Sequence, residues 1–325
     1  MKKDKSILPS LLLFLIAIGC TAAAVFLFAR YFSNRNSDSE DGTSSQARSR
    51  TITLDGETYS YNYNLTNILF MGIDKGEEAE YYAASGWAGQ ADCVMLFSLD
   101  SETKESRILQ ISRDTMTEID IYDVDGKKFN TMTAQLTLQY AYGLGAKQSC
   151  LAMKTTVGEL LEGVTINAYV SLDISALPII NDAVGGVTLT LDADYTDVDE
   201  SYTEGAVITL DGEAAEHFVR YRDITVTGSN NTRMQRQVLY LTALIQTISD
   251  KLDNPGDLYD LLYPLVSDYM VTDLTADEIN EFASYSFRAD ETEYAPGEVV
   301  EGEEHDEFYL DEDAFLRLIV DMFYQ

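Results

Sequence analysis

Three short apolar runs, separated by polar segments, constrain the fold of this chain more than any other feature. They cover residues 67–74, 92–100 and 107–112. Continuous apolar runs of this length, bounded by polar residues, are typical of strands buried on both faces of a sheet. Apolar residues at helical spacing follow at 133–142 and 149–161. Strands that alternate with helices predict an α/β sandwich with a mixed sheet.

The rest of the chain continues this alternation. We expect a loop at 75–90, strands at 168–172 and 186–191, and helices at 177–184, 211–219 and 236–252. Beyond Pro255 the pattern predicts a helix at 274–287 after a capping signal, an acidic loop at 291–307 and a short amphipathic helix at 311–324. We therefore predict a main domain at 59–252 and an acidic C-terminal extension with helices at 253–325.

The N-terminal segment predicts a transmembrane helix. Residues 7–29 are uncharged and predominantly apolar, and about 20 such residues span the hydrocarbon core of a bilayer. Lysines within residues 1–6 favour a short cytoplasmic N-terminus, which makes the rest of the protein extracellular. A cleaved signal peptide is the alternative, although its apolar region spans only about 7 to 15 residues. We expect residues 30–58 to form a flexible extracellular linker.

Cysteine use leaves the thiol state of this chain open. Cys20 lies in the predicted anchor and in a weak lipoprotein-like cleavage pattern, while Cys93 lies in a strand-like run and Cys150 in a helical one. Buried free thiols are common in such positions. A disulfide between the last two is the alternative on an oxidising face of the membrane.

Arginines are concentrated in two short stretches of a very acidic chain. The protein has 22 basic and 55 acidic residues, a formal net charge of −33, which argues against nucleic acid as a partner. Arg113 stands alone, whereas four further arginines lie within about fifteen residues: Arg220, Arg222, Arg233 and Arg236. Because the guanidinium fork matches phosphate oxygens two at a time, the clusters predict either a phosphate site or an internal ion-pair network.

Local spacing suggests which of these side chains converge. Arg113 and Asp114 follow a buried strand, where ligand crevices of open α/β sheets form, although a structural salt bridge is the alternative. If their segment is extended, Arg220 and Arg222 share one face. Arg233 and Gln237 are four residues apart and share a face of a predicted helix, with Arg236 bordering it.

Two aspartates could hold a metal ion at the same place. Asp74 ends the first apolar strand and Asp92 begins the second, so antiparallel pairing of these strands would bring both carboxylates to one rim of the sheet. Mg²⁺ takes one or two protein carboxylates together with substrate phosphates. The alternative interpretation is that both are turn or capping aspartates.

Eight pieces of sequence occur in an order that resembles the LytR–CpsA–Psr family of bacterial cell-envelope proteins. They are residues 67–74, 91–92, 111–115, 128–130, 184–187, 210–214, 218–222 and 233–237. The resemblance covers roughly residues 67–252. It implies a three-layer α-β-α sandwich with a mixed central sheet and an apolar tunnel for a prenyl chain.

The resemblance also implies an activity and a set of site residues. Members of this family are Mg²⁺-assisted phosphotransferases (Mn²⁺ is an alternative) that move an anionic glycopolymer from undecaprenyl pyrophosphate to peptidoglycan outside the membrane. By matching motif, Asp74 and Asp92 would hold the metal. The residues that would act on or bind the phosphates are Arg113, Lys128, Arg220, Arg222, Arg233, Arg236 and Gln237, and Asp114 would contribute by orienting the neighbouring arginine. Asn230 departs from the pattern, because the family usually has an aspartate there.

Two other functions are compatible with the same residues. One is a non-catalytic envelope-regulatory protein that binds polyprenyl lipid or wall glycan. The other is a polyprenyl pyrophosphatase, in which water replaces the sugar hydroxyl as the acceptor. Loss of either aspartate or of several arginines would have favoured the first, and none of them is lost.

Overall fold

Residues 50–74, 88–287, 292–303 and 305–325 are described by the structure, a computed structural model. The strands are β1 Thr51–Leu54, β2 Glu57–Ser60, β3 Leu65–Ile73, β4 Ala91–Asp100, β5 Ser106–Ile111, β6 Met116–Tyr122, β7 Lys128–Gln135, β8 Ala168–Asp173, β9 Val187–Thr190, β10 Val207–Leu210, β11 Met270–Thr272, β12 Thr292–Tyr294, β13 Gly297–Glu301 and β14 Asp306–Leu310. The helices are α1 Thr137–Tyr142, α2 Ala146–Leu160, α3 Ala176–Ala183, α4 Gly212–Arg220, α5 Ser229–Lys251, α6 Leu258–Val266, α7 Ala276–Phe282 and α8 Glu312–Phe323. Short 3-10 turns cover Pro255–Asp257 and Ser267–Tyr269.

A six-stranded sheet in the order β11-β8-β3-β4-β5-β12 forms the centre of the fold. Strand β4 is antiparallel to both of its neighbours, β3 and β5, whereas β8 is parallel to β3. The predicted mixed α/β sheet is therefore confirmed. Because of these directions, β3, β5 and β8 end at the same rim at which β4 begins, and this rim carries the candidate site.

Helices cover both faces of the sheet, because its strands alternate buried side chains toward each face. On one face Leu69 and Leu96 pack with residues of α1, α2 and α8, including Met153 and Ile319. On the other face the side chains of Met95 and its neighbours pack against α5 and α7. A further cluster joins α3 and α4 to α5 and to the β9–β10 hairpin.

Several predicted element boundaries are wrong. The segment 133–142 is helical only from Thr137, because Thr133–Gln135 complete β7, which pairs with β6 in a hairpin that we did not predict. Helix α5 begins seven residues before the predicted start at Arg236. The acidic segment 291–307 is no loop: it contains β12 and β13 and the start of β14.

The segment after residue 252 is built into the central sheet. It supplies both edge strands, with β11 antiparallel to β8 and β12 parallel to β5. The described residues between 50 and 325 form one compact unit, and the predicted division at residue 253 falls within it. Edge strands of three residues carry little hydrophobic signal of their own, which explains why the sequence did not show them.

The predicted anchor at 7–29 lies outside the described residues, as do residues 30–49 of the predicted linker. Of the helices that the structure describes, none is long and apolar enough to cross a membrane. The end of the linker prediction is wrong, since residues 51–58 contribute to the β1–β2 hairpin. Cys93 and Cys150 are buried free thiols, and burial raises the pKa of each to about 12.

Candidate active site

A β-bulge places Asp92 at the rim of the sheet. Across the β3–β4 pair, Gly72 lies opposite Cys93 and Ile73 opposite Ala91, so Asp92 is the extra residue between them. Bulges of this kind redirect a side chain and are common beside active sites. Asp74 follows directly, and its N–H donates to the Gln90 carbonyl at 3.2 Å. The prediction that both aspartates meet at one rim is confirmed.

Asp92 accepts hydrogen bonds from two arginines that are far apart in sequence. Arg113 Nη1 donates to Asp92 Oδ1, and Arg233 Nη1 donates to Oδ2 at 3.1 Å. The side chains are only 15%, 15% and 6% exposed for Asp92, Arg113 and Arg233, so water screens this pairing weakly. Arg113 is also held by Gln90, whose Oε1 accepts from Nη2 at 2.5 Å.

Asn230 orients Arg233 from one turn earlier on helix α5. Its Oδ1 accepts from Arg233 Nε at 3.2 Å and from Nη2 at 2.8 Å, while its own amide donates to Ser112 Oγ at 3.2 Å. Burial lowers the pKa of the Arg233 guanidinium, which still remains charged at neutral pH. A neutral amide therefore carries out the orientation here, and it adds no second negative charge beside Asp92.

Asp114 links Arg113 to Arg222 below the rim. Asp114 Oδ1 lies 3.4 Å from Arg113 Nε, and Oδ2 lies 3.8 Å from Arg222 Nη1. Gln135 donates to the same carboxylate at 3.2 Å. Burial raises the pKa of Asp114, and the neighbouring arginines oppose this shift. This position agrees with the expectation that Asp114 orients its neighbouring arginine.

Arg220 and Arg222 do not share a face, contrary to the prediction for an extended segment. Arg220 is the last residue of helix α4, and its Nη2 pairs with Asp74 Oδ1 at 2.8 Å. It also contacts Glu216 one turn earlier, at 3.2 Å, and its side chain is 51% exposed. Arg222 follows the helix and points to Asp114 instead. The two side chains point in different directions because helix α4 ends between them.

An apolar cavity of about 310 Å³ opens against these charged side chains. It lies between the sheet and helices α3, α5, α6 and α7, and its walls include Phe70, Met95, Leu241 and Ile245. The candidate site residues that line it are Asp74, Asp92, Arg220, Arg233 and Gln237. An apolar space with ion-paired groups at the rim suits a ligand that is apolar at one end and anionic at the other.

Gln237 is held at the cavity wall by a buried partner that we did not predict. Its Oε1 accepts from Gln110 Nε2 at 3.1 Å, and its own amide lies 3.4 Å from the Val219 carbonyl. Gln110 is fully buried on strand β5 of the central sheet. A glutamine in an apolar strand was the one available sequence signal, because buried polar side chains require partners.

The model of the LytR_cpsA_psr family matches residues 26–300 of this sequence. The chain belongs to the LytR_cpsA_psr family. The match extends beyond the predicted range of 67–252 on both sides, and it includes β11, β12 and most of β13 in the segment that we had left outside the resemblance.

Among its relatives are two named teichoic acid transferases and one regulatory protein. The polyisoprenyl-teichoic acid–peptidoglycan teichoic acid transferase TagU of Enterococcus faecalis is 28% identical over 217 residues, 67% of this chain and 64% of that protein. TagV of Bacillus subtilis is 31% identical over 56% of this chain and 44% of its own length. Biofilm regulatory protein A of Streptococcus mutans is 32% identical over 40% of this chain and 29% of its own length. The chain thus matches less than two thirds of the length of each.

Solved structures show the same fold. The crystal structure of Bacillus subtilis TagV covers 80% of this chain and 98% of its own, with a TM-score of 0.60 and 22% identity. A structure described as TagT bound to LI-WTA covers 86% of this chain and 98% of its own, with a TM-score of 0.58 and 18% identity.

Two residues assigned from the family resemblance lie elsewhere. Arg236 is only 1% exposed, and it donates to the carbonyl oxygens of Phe218, at 2.8 Å, and Tyr221. Arg236 therefore donates to backbone carbonyl groups at the end of helix α4, and its assignment to substrate binding is wrong. Lys128 begins β7 and pairs with Asp120 at 2.7 Å, at the end of the hairpin farthest from Asp114.

Asp306 belongs to the charged cluster, although we predicted no role for it from the sequence. Its Oδ2 accepts from Arg222 Nη2 at 3.1 Å. The residue lies in an acidic segment that we predicted to be a loop, and one carboxylate among many carries no distinguishing signal. Only the fold shows that this part of the C-terminal segment contacts Arg222.

Proposed function

We propose that this protein is a phosphotransferase that moves an anionic glycopolymer from an undecaprenyl-pyrophosphate carrier onto peptidoglycan. Family membership supports the proposal, as do the names of the relatives, which describe transfer of teichoic acid to peptidoglycan. Teichoic acid is therefore the first polymer to test. The neighbour described as bound to LI-WTA has the same fold.

The observation that carries the proposal is the apolar cavity with guanidinium groups at its rim. A polyprenyl pyrophosphate has a long apolar chain and a compact, highly charged head. Residues such as Met95 and Leu241 would bury the chain, while Arg220 and Arg233 would meet the phosphate oxygens. Burial of apolar surface stabilises the first contact, and charge-assisted hydrogen bonds stabilise the second.

The transfer step requires charge stabilisation more than covalent help. The acceptor hydroxyl oxygen forms a bond to the phosphorus next to the glycan, and the bond from that phosphorus to the bridging oxygen breaks. Polyprenyl phosphate leaves with the electron pair, and the hydroxyl proton is released. Arginines held in place before the reaction stabilise the charge that develops on the phosphoryl oxygens. Asp92 supplies this order by fixing Arg113 and Arg233.

A divalent ion is compatible with the donors at the rim. Asp74 and Asp92 both line the mouth of the cavity, and oxygen ligands of this kind suit Mg²⁺ or Mn²⁺. Within the described residues, no group of three or more acidic, histidine or cysteine side chains could hold an ion alone, so phosphate oxygens would complete the coordination. When bound, the ion would neutralise charge on the pyrophosphate.

We also propose that the protein is anchored in the cell membrane by residues 7–29, with a cytoplasmic N-terminus and an extracellular catalytic domain. The uncharged apolar sequence of this segment supports the anchor, and the lysines before it support the orientation. An anchored enzyme would remain close to its lipid-linked substrate and to the cell wall.

The test is a transfer assay with the purified full-length protein in detergent. Polyprenyl-pyrophosphate-linked teichoic acid, Mg²⁺ and peptidoglycan fragments are the reactants, and mass spectrometry follows the phosphodiester product and the released polyprenyl phosphate. The proposal predicts both products in equal amounts. Polyprenyl phosphate and a polymer that ends in a phosphomonoester, both formed without an acceptor, would favour a pyrophosphatase, and binding without turnover would favour the non-catalytic regulatory protein.

A further inference from the structure

The β13–β14 hairpin brings a carboxylate to the candidate site from the far end of the chain. Asp306, the first residue of β14, accepts two hydrogen bonds at Oδ2, from Arg222 Nη2 at 3.1 Å and from the Gly228 N–H at 3.0 Å. Gly228 is the residue that caps the N-terminus of helix α5. A negative charge at this position also interacts favourably with the helix dipole.

Backbone contacts fix the position of this carboxylate. The Phe308 N–H donates to the Asp114 carbonyl at 2.9 Å, and Thr115 and Phe308 form a parallel bridge. Gln135 Nε2 donates to the Asp306 carbonyl at 2.8 Å. The hairpin is therefore held along the segment that follows β5, and Asp306 is delivered by ordered backbone.

Asp306 also balances the charge of the buried cluster. The three arginines Arg113, Arg222 and Arg233 face the three aspartates Asp92, Asp114 and Asp306, and each of these six side chains is less than a fifth exposed. Charges at this depth require partners, because solvation compensates them poorly. Without Asp306 the cluster would have one excess positive charge.

Asp306 contributes the short ion pair of Arg222. Its other acidic partner, Asp114, lies at 3.8 Å, while Ser229 Oγ accepts from Arg222 Nε at 3.1 Å. The neutral serine cannot replace the charge. Loss of the Asp306 carboxylate would therefore release the Nη2 end of the Arg222 guanidinium. This end would then no longer be held in one orientation before a phosphate binds.

We propose that Asp306 is a positioning residue that holds Arg222 for phosphate binding. The inference rests on the proposed function and extends it, because it makes the C-terminal hairpin part of the transfer site. The carboxylate acts through Arg222 and through the start of helix α5, and it does not itself contact the substrate. In an inhibitory role, by contrast, Asp306 would occupy the place of a substrate phosphate.

The test compares Asp306→Asn with Glu298→Gln, an exposed residue of the same hairpin. Asparagine keeps an acceptor for the Gly228 N–H but removes the charge. In the full-length protein, Asp306→Asn is expected to lower kcat/KM for transfer about tenfold or more, the scale of one charged hydrogen bond. Glu298→Gln should transfer at the wild-type rate. A wild-type or faster rate in Asp306→Asn would overturn the proposal.

A double-mutant cycle separates positioning from a general effect on folding. Arg222→Lys and the double variant Arg222→Lys/Asp306→Asn are compared with both single variants. The double variant should lose little beyond Arg222→Lys, because both changes remove one interaction. Fully additive losses would contradict the proposal, as would a loss in Asp306→Asn that follows only its fraction of folded protein.

Binding of inorganic pyrophosphate keeps this inference distinct from the proposed function. If wild-type protein transfers no polymer, the proposed function fails. Titration calorimetry can then still test whether Asp306→Asn weakens pyrophosphate binding while Glu298→Gln leaves it unchanged. Equal affinity in all three proteins would overturn the positioning role whatever the transfer assay shows.

Discussion

Arg233 Nη1 donates to Asp92 Oδ2 at 3.1 Å, and this bond joins helix α5 to the bulged start of strand β4 at the mouth of an apolar cavity. The same pair is part of the fold and part of the candidate site. The expected effect of replacing an arginine in this protein therefore depends on whether its side chain is buried. Exposed arginines can be tested for function alone, whereas buried arginines also support the structure.

Arg220→Ala is expected to abolish transfer with almost no change in stability. The side chain is half exposed, and its pairs with Asp74 and Glu216 are of the kind that contribute little to folding. The melting temperature should stay within about 2 °C of wild type. Arg317→Ala is the matched control, because it removes an equally exposed arginine paired with Asp55. A large fall in melting temperature for Arg220→Ala would show that the residue is structural.

Arg236→Met should destabilise the protein but leave substrate binding intact. It removes the buried donor to the Phe218 and Tyr221 carbonyls, which should cost about 2 to 4 kcal/mol. Urea unfolding measures this loss, and transfer assays at low temperature give KM for the folded fraction. Arg233→Met, three residues earlier on the same helix, should lose both stability and binding. A raised KM in Arg236→Met with unchanged stability would contradict this assignment.

Filling the cavity should block lipid binding specifically. Leu241→Trp adds a large side chain on the face of α5 that lines the cavity, so it should exclude the prenyl chain. Leu265→Trp on α6 is the control, because Leu265 is exposed and does not line the cavity. Binding of a fluorescent polyprenyl phosphate should be lost only in the first variant. Equal affinity in both variants would mean that the chain binds elsewhere.

Asp114 should make stability fall as pH rises through the acidic range. Burial raises its pKa above the usual 3.8, against the pull of Arg113, Arg222 and Arg233 and with the repulsion of Asp306. Between the unfolded and the folded pKa, the folded state binds more protons than the unfolded state. The variant Asp114→Asn cannot titrate at this position, so it serves as the reference. The free energy of unfolding of wild type, relative to that of the variant, should therefore decrease as pH rises across this window and stay constant above it. An increase would show that the arginines dominate.

Much of the central sheet could be predicted from the sequence because its strands are apolar on both faces. The runs at 67–74, 92–100 and 107–112 correspond closely to β3, β4 and β5. Their order and polar ends also predicted that Asp74 and Asp92 would meet. Strands with an exposed or polar side, such as β7 and β12, gave no comparable signal, because local pattern cannot show which distant strand a segment will join.

The site itself could be predicted only in part, for a similar reason. Residue type and motif order identified Arg113, Arg220 and Arg233, whose neighbours in sequence are distinctive. Spacing could not show that Arg236 turns to the end of helix α4 while Arg233 turns to Asp92, because residues three apart on a helix lie close to one another on its surface. Nor could it show that Asp306, more than 80 residues after Arg222 and surrounded by other acidic residues, would complete the buried charges.

We expect one molecule of polyprenyl pyrophosphate to place its chain in the cavity and its phosphates at the arginines. The most direct measurement is a crystal structure of the protein with this lipid. We predict density for the chain between β4 and α5, with phosphate oxygens within about 3.2 Å of Arg220 or Arg233. An empty cavity in a crystal that contains the lipid elsewhere on the protein, with its phosphates away from both arginines, would contradict the account.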